Sequence, residues 1–130
     1  MSVQLLNPPE VSQPIGPYSQ AVHVSGAGRW LHIAGQIGAD AQGRVAPDFQ
    51  GQADQAWKNV VALLKAADMD VSHLIKVVTY LTREEDVPAM GPVRLAYLGE
   101  ARPAATMVIA KALARKEWLV EVEAVAFRAG

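Results

Sequence analysis

Trp118-Leu119-Val120-Glu121-Val122-Glu123-Ala124-Val125-Ala126-Phe127 alternates so regularly that it reads as a β-strand with two distinct faces. Trp118, Val120, Val122, Ala124 and Ala126 share one side, and Leu119, Glu121, Glu123, Val125 and Phe127 share the other. The first side suits a core. The second is neither core-like nor solvent-like, because two carboxylates stand among three apolar side chains.

Upstream, Leu74 to Leu81 is rich in β-branched residues and predicts another strand, with Ile75, Val77 and Leu81 on one side and Val78 and Tyr80 on the other. Between these two strands, Glu84-Glu85-Asp86 places acids at the positive end of a helix predicted over Asp86 to Leu98, although Gly91-Pro92 interrupts its pattern. Pro103 closes the connection, and Thr106 to Ala110 predicts a further strand. Nearer the start, Ala53, Ala56, Trp57, Val60, Leu63, Leu64 and Ala67 recur at steps of three and four, the apolar stripe of a helix over Phe49 to Ala67. Asp68 then falls where a left-handed residue ends the helix. Ser19 to Val24 and Trp30 to Ile37, separated by Ser25-Gly26-Ala27-Gly28, read as an antiparallel hairpin. A loop over Gly38 to Pro47 follows it, and Val3 to Leu6 adds a sixth, short strand.

These elements predict an α+β chain with a five- to six-stranded mixed sheet and two helices on one face. The other face, mostly apolar, is best covered by further copies of the chain, so a homo-oligomer with ligand clefts between subunits is expected. A length of 130 residues predicts a single domain over 1–130. Twelve Lys+Arg against thirteen Asp+Glu leave a formal charge of −1, too little positive excess to hold nucleic acid or an anionic membrane surface. The absence of cysteine excludes disulfides, thiolate nucleophiles and cysteine metal sites. The start, Met1-Ser2-Val3-Gln4, lacks the basic and apolar regions of a signal peptide, and no apolar run spans a bilayer, so a cytoplasmic location is expected.

Glu121 and Glu123, at i and i+2, hold their carboxylates about 7 Å apart along the strand. One of them in a partly apolar cleft can orient or deprotonate a water for attack on an electrophilic carbon. Ion-paired or solvated glutamates are the commoner arrangement on a strand. Gly16-Pro17 fixes a bend that aims Tyr18 toward a cleft or simply forms a turn. Gly35, between Ala34 and Gln36, allows a ligand or another backbone to approach closely, or marks a β-bulge or dense packing. His23, His32 and His73 lack metal-ligand spacing, and no nucleophile elbow or phosphate loop is present, so neither a metal nor a cofactor is expected. Trp30, Trp57 and Trp118 read as core or interface anchors.

Ile15-Gly16-Pro17-Tyr18-Ser19-Gln20-Ala21-Val22, Ala34-Gly35-Gln36-Ile37-Gly38, Trp57-Lys58-Asn59-Val60, Ile75-Lys76-Val77, Arg102-Pro103-Ala104 and Val120-Glu121-Val122-Glu123-Ala124-Val125-Ala126 occur in that order. Over nearly the whole chain they resemble the Rid family (reactive intermediate deaminase; RidA, YjgF, endoribonuclease L-PSP). The resemblance implies a chorismate-mutase-like fold and a homotrimer with three inter-subunit clefts. It also implies hydrolysis of reactive enamines and imines, such as 2-aminoacrylate, to keto acids and ammonia. It assigns water positioning to Glu121 and pocket lining to Tyr18, Ala34, Gly35, Thr106 and Met107. Ala105 stands where the family carries an arginine that grips the substrate carboxylate, a charge-assisted clamp whose loss costs about 2–5 kcal/mol. A family asparagine in the second helix becomes Gly91. Arg102 is close in sequence, but three steps along an extended chain direct it to the opposite side. The expectation is therefore a trimer binding a small organic metabolite in a more apolar cleft, hydrolysing an imine or enamine but not the standard 2-imino acids. The alternatives are a non-catalytic ligand-binding or protein-interaction trimer and, third, an endoribonuclease, for which a basic groove is lacking.

Overall fold

The computed structural model describes residues 2–130; Met1 lies outside the described residues. The elements are β1 (Val3–Leu6), β2 (Ala21–Val24), β3 (Gly28–Ile37), α1 (Phe49–Ala66), β4 (Leu74–Leu81), α2 (Val87–Leu98), β5 (Ala104–Ile109) and β6 (Val120–Ala129), with 3-10 turns at Val71–His73 and Glu84–Asp86. The strands form a four-stranded mixed sheet of order β3-β6-β4-β5 and a separate two-stranded β1-β2 ladder. Within the larger sheet β4 and β5 run parallel, and β6 is antiparallel to both β3 and β4.

β6 is the central constraint. Val120, Val122, Ala124 and Ala126 are buried against Ala53, Ala56, Trp57, Val60 and Leu64 of α1 in one apolar cluster, as the alternation requires. Phe127, on the opposite side by parity, is buried as well, its ring meeting Trp30 edge-on at 5.1 Å. Trp118 precedes the strand and lies beneath the Arg115 guanidinium, 5.7 Å from its ring centroid.

The expected hairpin of Ser19–Val24 with Trp30–Ile37 is corrected. β2 pairs with β1, from Val3 opposite Val24 to Leu6 opposite Ala21, whereas β3 begins at Gly28 and takes β6 as its ladder partner. The ten-residue β6 offers β3 a full-length partner with an inward apolar face, which the four-residue β2 does not. Ser19 is buried instead beside the start of β5, its N–H donating to Pro103 O at 3.0 Å and its hydroxyl to Arg102 O at 2.6 Å. In β4 a register shift between Leu74 and Lys76 buries Leu74 and leaves Ile75 half-buried, so Leu74 joins Val77 and Leu81 in the core. Leu63 lies at the exposed rim of the α1 stripe.

Both helix ends follow local chemistry. Asp68 takes the left-handed conformation at φ 58° after α1, as its position predicts. Before α2, Arg83 makes a two-pronged ion pair with Asp86 (2.8 and 3.0 Å), and Pro92 is held inside the helix on its exposed side. The two helices are joined by stacking of Trp57 on Tyr97 and by the Tyr97 hydroxyl donating to the Asp54 carboxylate at 2.5 Å.

Gln52 is buried and fully engaged: Nε2 donates to Ala46 O and Glu117 O, and Oε1 accepts from Leu119 N–H at 2.8 Å. It ties the loop before α1 to the entrance of β6. No helix among the described residues is long and apolar enough to cross a membrane.

Burial, and next the bond to Asp54, pushes the Tyr97 phenol up to about 12. A pKa raised by folding adds stability that is complete below the ordinary phenol range near 10 and is lost as pH rises through about 12. Tyr97→Phe should therefore lower unfolding free energy by about 1 kcal/mol at pH 7. In urea titrations the gap between the two proteins should close between pH 10 and 12.

Candidate functional site

Tyr80 sits directly opposite Glu121 in the β4–β6 register and bonds diagonally, its hydroxyl donating to Oε1 of Glu123. That hydrogen bond, with desolvation and the charges of Glu123 and Glu121, raises the Tyr80 pKa above its ordinary value. The two glutamates thereby acquire different roles. Glu123 is engaged, whereas Glu121 has no hydrogen bond or ion pair among the described residues.

Gly35 explains where the Glu121 side chain goes. It lies in the register break of β3 between Ile33 and Gln36, and a Cβ built on it would fall 1.9 Å from Oε2 of Glu121 and 2.7 Å from its Cδ. The glycine marks a bulge, and what approaches it is a side chain of the same copy: the space of its missing Cβ is filled by the Glu121 carboxylate. Gly35, Tyr80, Glu121 and Glu123 line an open cleft of about 390 Å³ bordered by the Ala112–Ala114 loop. Ala34 is exposed beside it and lines neither cavity described here, its carbonyl accepting from the Gln36 amide at 3.0 Å.

Tyr18, Ala105, Thr106 and Met107 meet elsewhere, around a second cavity of about 360 Å³ with Gly91 and Arg94 of α2. The Ser19 bonds to Arg102 and Pro103 carry the Tyr18 segment to the start of β5. Ala105 registers with Val77, whose side is the helix-covered one, and Glu121 registers with Tyr80 on the uncovered side. Met107 shares the side of Ala105, whereas Thr106, opposite Val78, alternates to the side of Glu121 at the sheet edge, so the predicted residues fall in two separate groups. A single copy does not bring Glu121 to Tyr18.

Arg102 does not enter the second cavity; its Nη1 donates to the carbonyls of Gly99 and Ala101 at 2.8 and 2.7 Å. Arg94 does enter it, so a guanidinium stands where an apolar cleft is expected. Its Nη2 lies 3.7 Å from the point a Gly16 Cβ would occupy, and the Tyr18 ring edge lies 3.6 Å from that point. Arg94 stands outside the family-like motifs, eleven residues before Ala105 on another element. One signal was present: Arg94 follows Gly91 by three residues and so shares its helix face. His73 serves locally, its Nδ1 accepting from Asp70 N–H in a capping box.

Comparison with known proteins matches residues 9–128 to the family model described as Endoribonuclease L-PSP. A RutC family protein of Pyrococcus horikoshii is 40% identical over 118 residues, covering 89% of this chain and 90% of its own. A 2-iminobutanoate/2-iminopropanoate deaminase of Mus musculus is 36% identical over 114 residues, covering 86% and 82%. Among solved structures, a Rid-family protein of unknown function from Yersinia pestis superposes with a TM-score of 0.86 at 27% identity, covering 97% of this chain and 98% of that one.

Two glycine substitutions should separate site from scaffold. Gly38→Ala presses a methyl to 2.5 Å from backbone Cα of Gln52, which cannot swing away, and should cost about 1–3 kcal/mol or more. The three atoms nearest a methyl at Gly35 all belong to the flexible Glu121 side chain. Gly35→Ala should leave the melting temperature within a few degrees while displacing the Glu121 carboxylate, as a crystal structure of the variant would record.

Proposed function

The chain belongs to the endoribonuclease L-PSP, or Rid, family, and from that premise we propose that it hydrolyses small imine or enamine metabolites in a cleft completed by a second copy of itself. The observation that carries the reading is the Glu121 carboxylate, held over Gly35 and left without a protein partner while Tyr80 occupies its neighbour Glu123. A carboxylate so placed is available to a water. It accepts a proton from that water as the oxygen attacks the C=N carbon, and the proton is delivered to nitrogen. Collapse of the resulting carbinolamine breaks the C–N bond, forms the carbonyl and releases ammonia. An enamine reaches the same path through its imine tautomer.

Assembly supplies the other half. Packing the uncovered sheet face of one copy against the β5 edge of the next would bring Gly35 and Glu121 toward the cavity of Tyr18, Ala105, Thr106 and Met107. Exposed apolar residues support such packing: Trp30 is 55%, Val108 40% and Ile109 48% exposed in the single chain. We take the assembly to be a homotrimer, with a small organic molecule in each cleft. Ala105 leaves the β5 side of that cleft without the family's cationic clamp, so substrates are not held from β5 as the standard 2-imino acids are. The nuclease in the family's description finds no counterpart in a chain with twelve basic and thirteen acidic residues.

Light scattering should give the mass of three chains. In coupled assays that generate imines and enamines in situ, ammonia release should depend on the protein, and Glu121→Gln should reduce it by about 100-fold or more with assembly intact. Turnover undiminished in Glu121→Gln would overturn the hydrolytic reading. A metabolite bound and recovered unchanged would point to a binding protein.

A further inference from the structure

Arg94 is the one arginine among the described residues whose charge is left unmet. Arg44, Arg83 and Arg128 pair with Asp40, Asp86 and Asp68; Arg29 and Arg102 donate to backbone carbonyls; Arg115 covers the Trp118 ring. Arg94 has no ion pair or hydrogen bond, and its Nε is buried without an acceptor. Burial lowers its pKa, opposed by the nearby Tyr18 phenol, yet a guanidinium stays charged at neutral pH. Desolvating a cation without acceptors is unfavourable unless something else supplies them.

The surroundings specify what that is. The guanidinium faces a cavity of about 360 Å³, within the size range of small-molecule sites, with the Tyr18 ring beside it and Ala105 and Met107 supplying apolar wall. No acidic side chain of this copy lines that cavity. The planar fork of an arginine matches a carboxylate in geometry and charge. Resting on the reading of this cavity as half of the substrate cleft, we infer that Arg94 is the anion-recognising residue of the site and that its ligands are small carboxylates. The cation comes from α2 rather than from β5, so it grips the anionic end from the helix side and leaves the wall at Ala105 free for an apolar group. Arg94 therefore sets specificity.

The test is equilibrium binding by calorimetry to the assembled protein. The probes are 2-oxobutanoate and 2-butanone, in which a methyl replaces the carboxylate. Wild type should prefer the anion by at least about tenfold; Arg94→Gln should erase that preference, and Arg94→Lys should retain part of it. A protein that binds the anion through Arg94 without releasing ammonia from any imine would end the hydrolytic reading and leave this one standing. Imine turnover whose KM is unchanged in Arg94→Gln would do the reverse. Dissociation of the assembly in both Arg94 variants would also overturn the inference, because Arg94 would then be pairing with a carboxylate of a neighbouring copy.

Discussion

The alternation of β6 between β3 and β4 is the constraint on which the molecule depends. Its even positions, from Val120 to Ala126, are drawn against α1 by burial of apolar surface, and that choice obliges Glu121 and Glu123 to face the other way. Slipping the strand by one residue would place two carboxylates beneath the helices. The same energy that builds the core therefore aims the acids, and Gly35 and Tyr80 on the flanking strands then divide them into an unpartnered carboxylate and an engaged one.

The layout also separates the candidate residues. Helices cover one face of the sheet, and the cavity of Tyr18, Arg94 and Ala105 meets that side, while Glu121 belongs to the other. On the proposed reading a second copy brings the two groups together, and association and chemistry would then both follow from the same one-sided packing.

One cation marks the β5 side of the molecule. Arg94, one turn beyond Gly91 on α2, lines the same cavity as Ala105. The two residues stand on different elements, so their neighbourhood exists only in the folded chain.

Local pattern sufficed for α1, β4, the left-handed Asp68 and the inward set of β6, since each is dictated by periodicity or by a helix end within a few residues. Glu121, Gly35 and Tyr18 were likewise legible as candidates, through their residue type and the motifs around them. Partner choice was not: β2 joins β1 rather than β3, and nothing local to Ser25–Gly28 reveals that a longer apolar partner sits a hundred residues downstream. Arg94 was hidden for the same reason, its significance depending on where a helix lies relative to a strand. Sequence by itself determined which faces are apolar and which residues carry charge, because covalent geometry fixes side-chain direction along an element. Only the tertiary structure decided which elements meet, because strand pairing and burial compete over the whole chain.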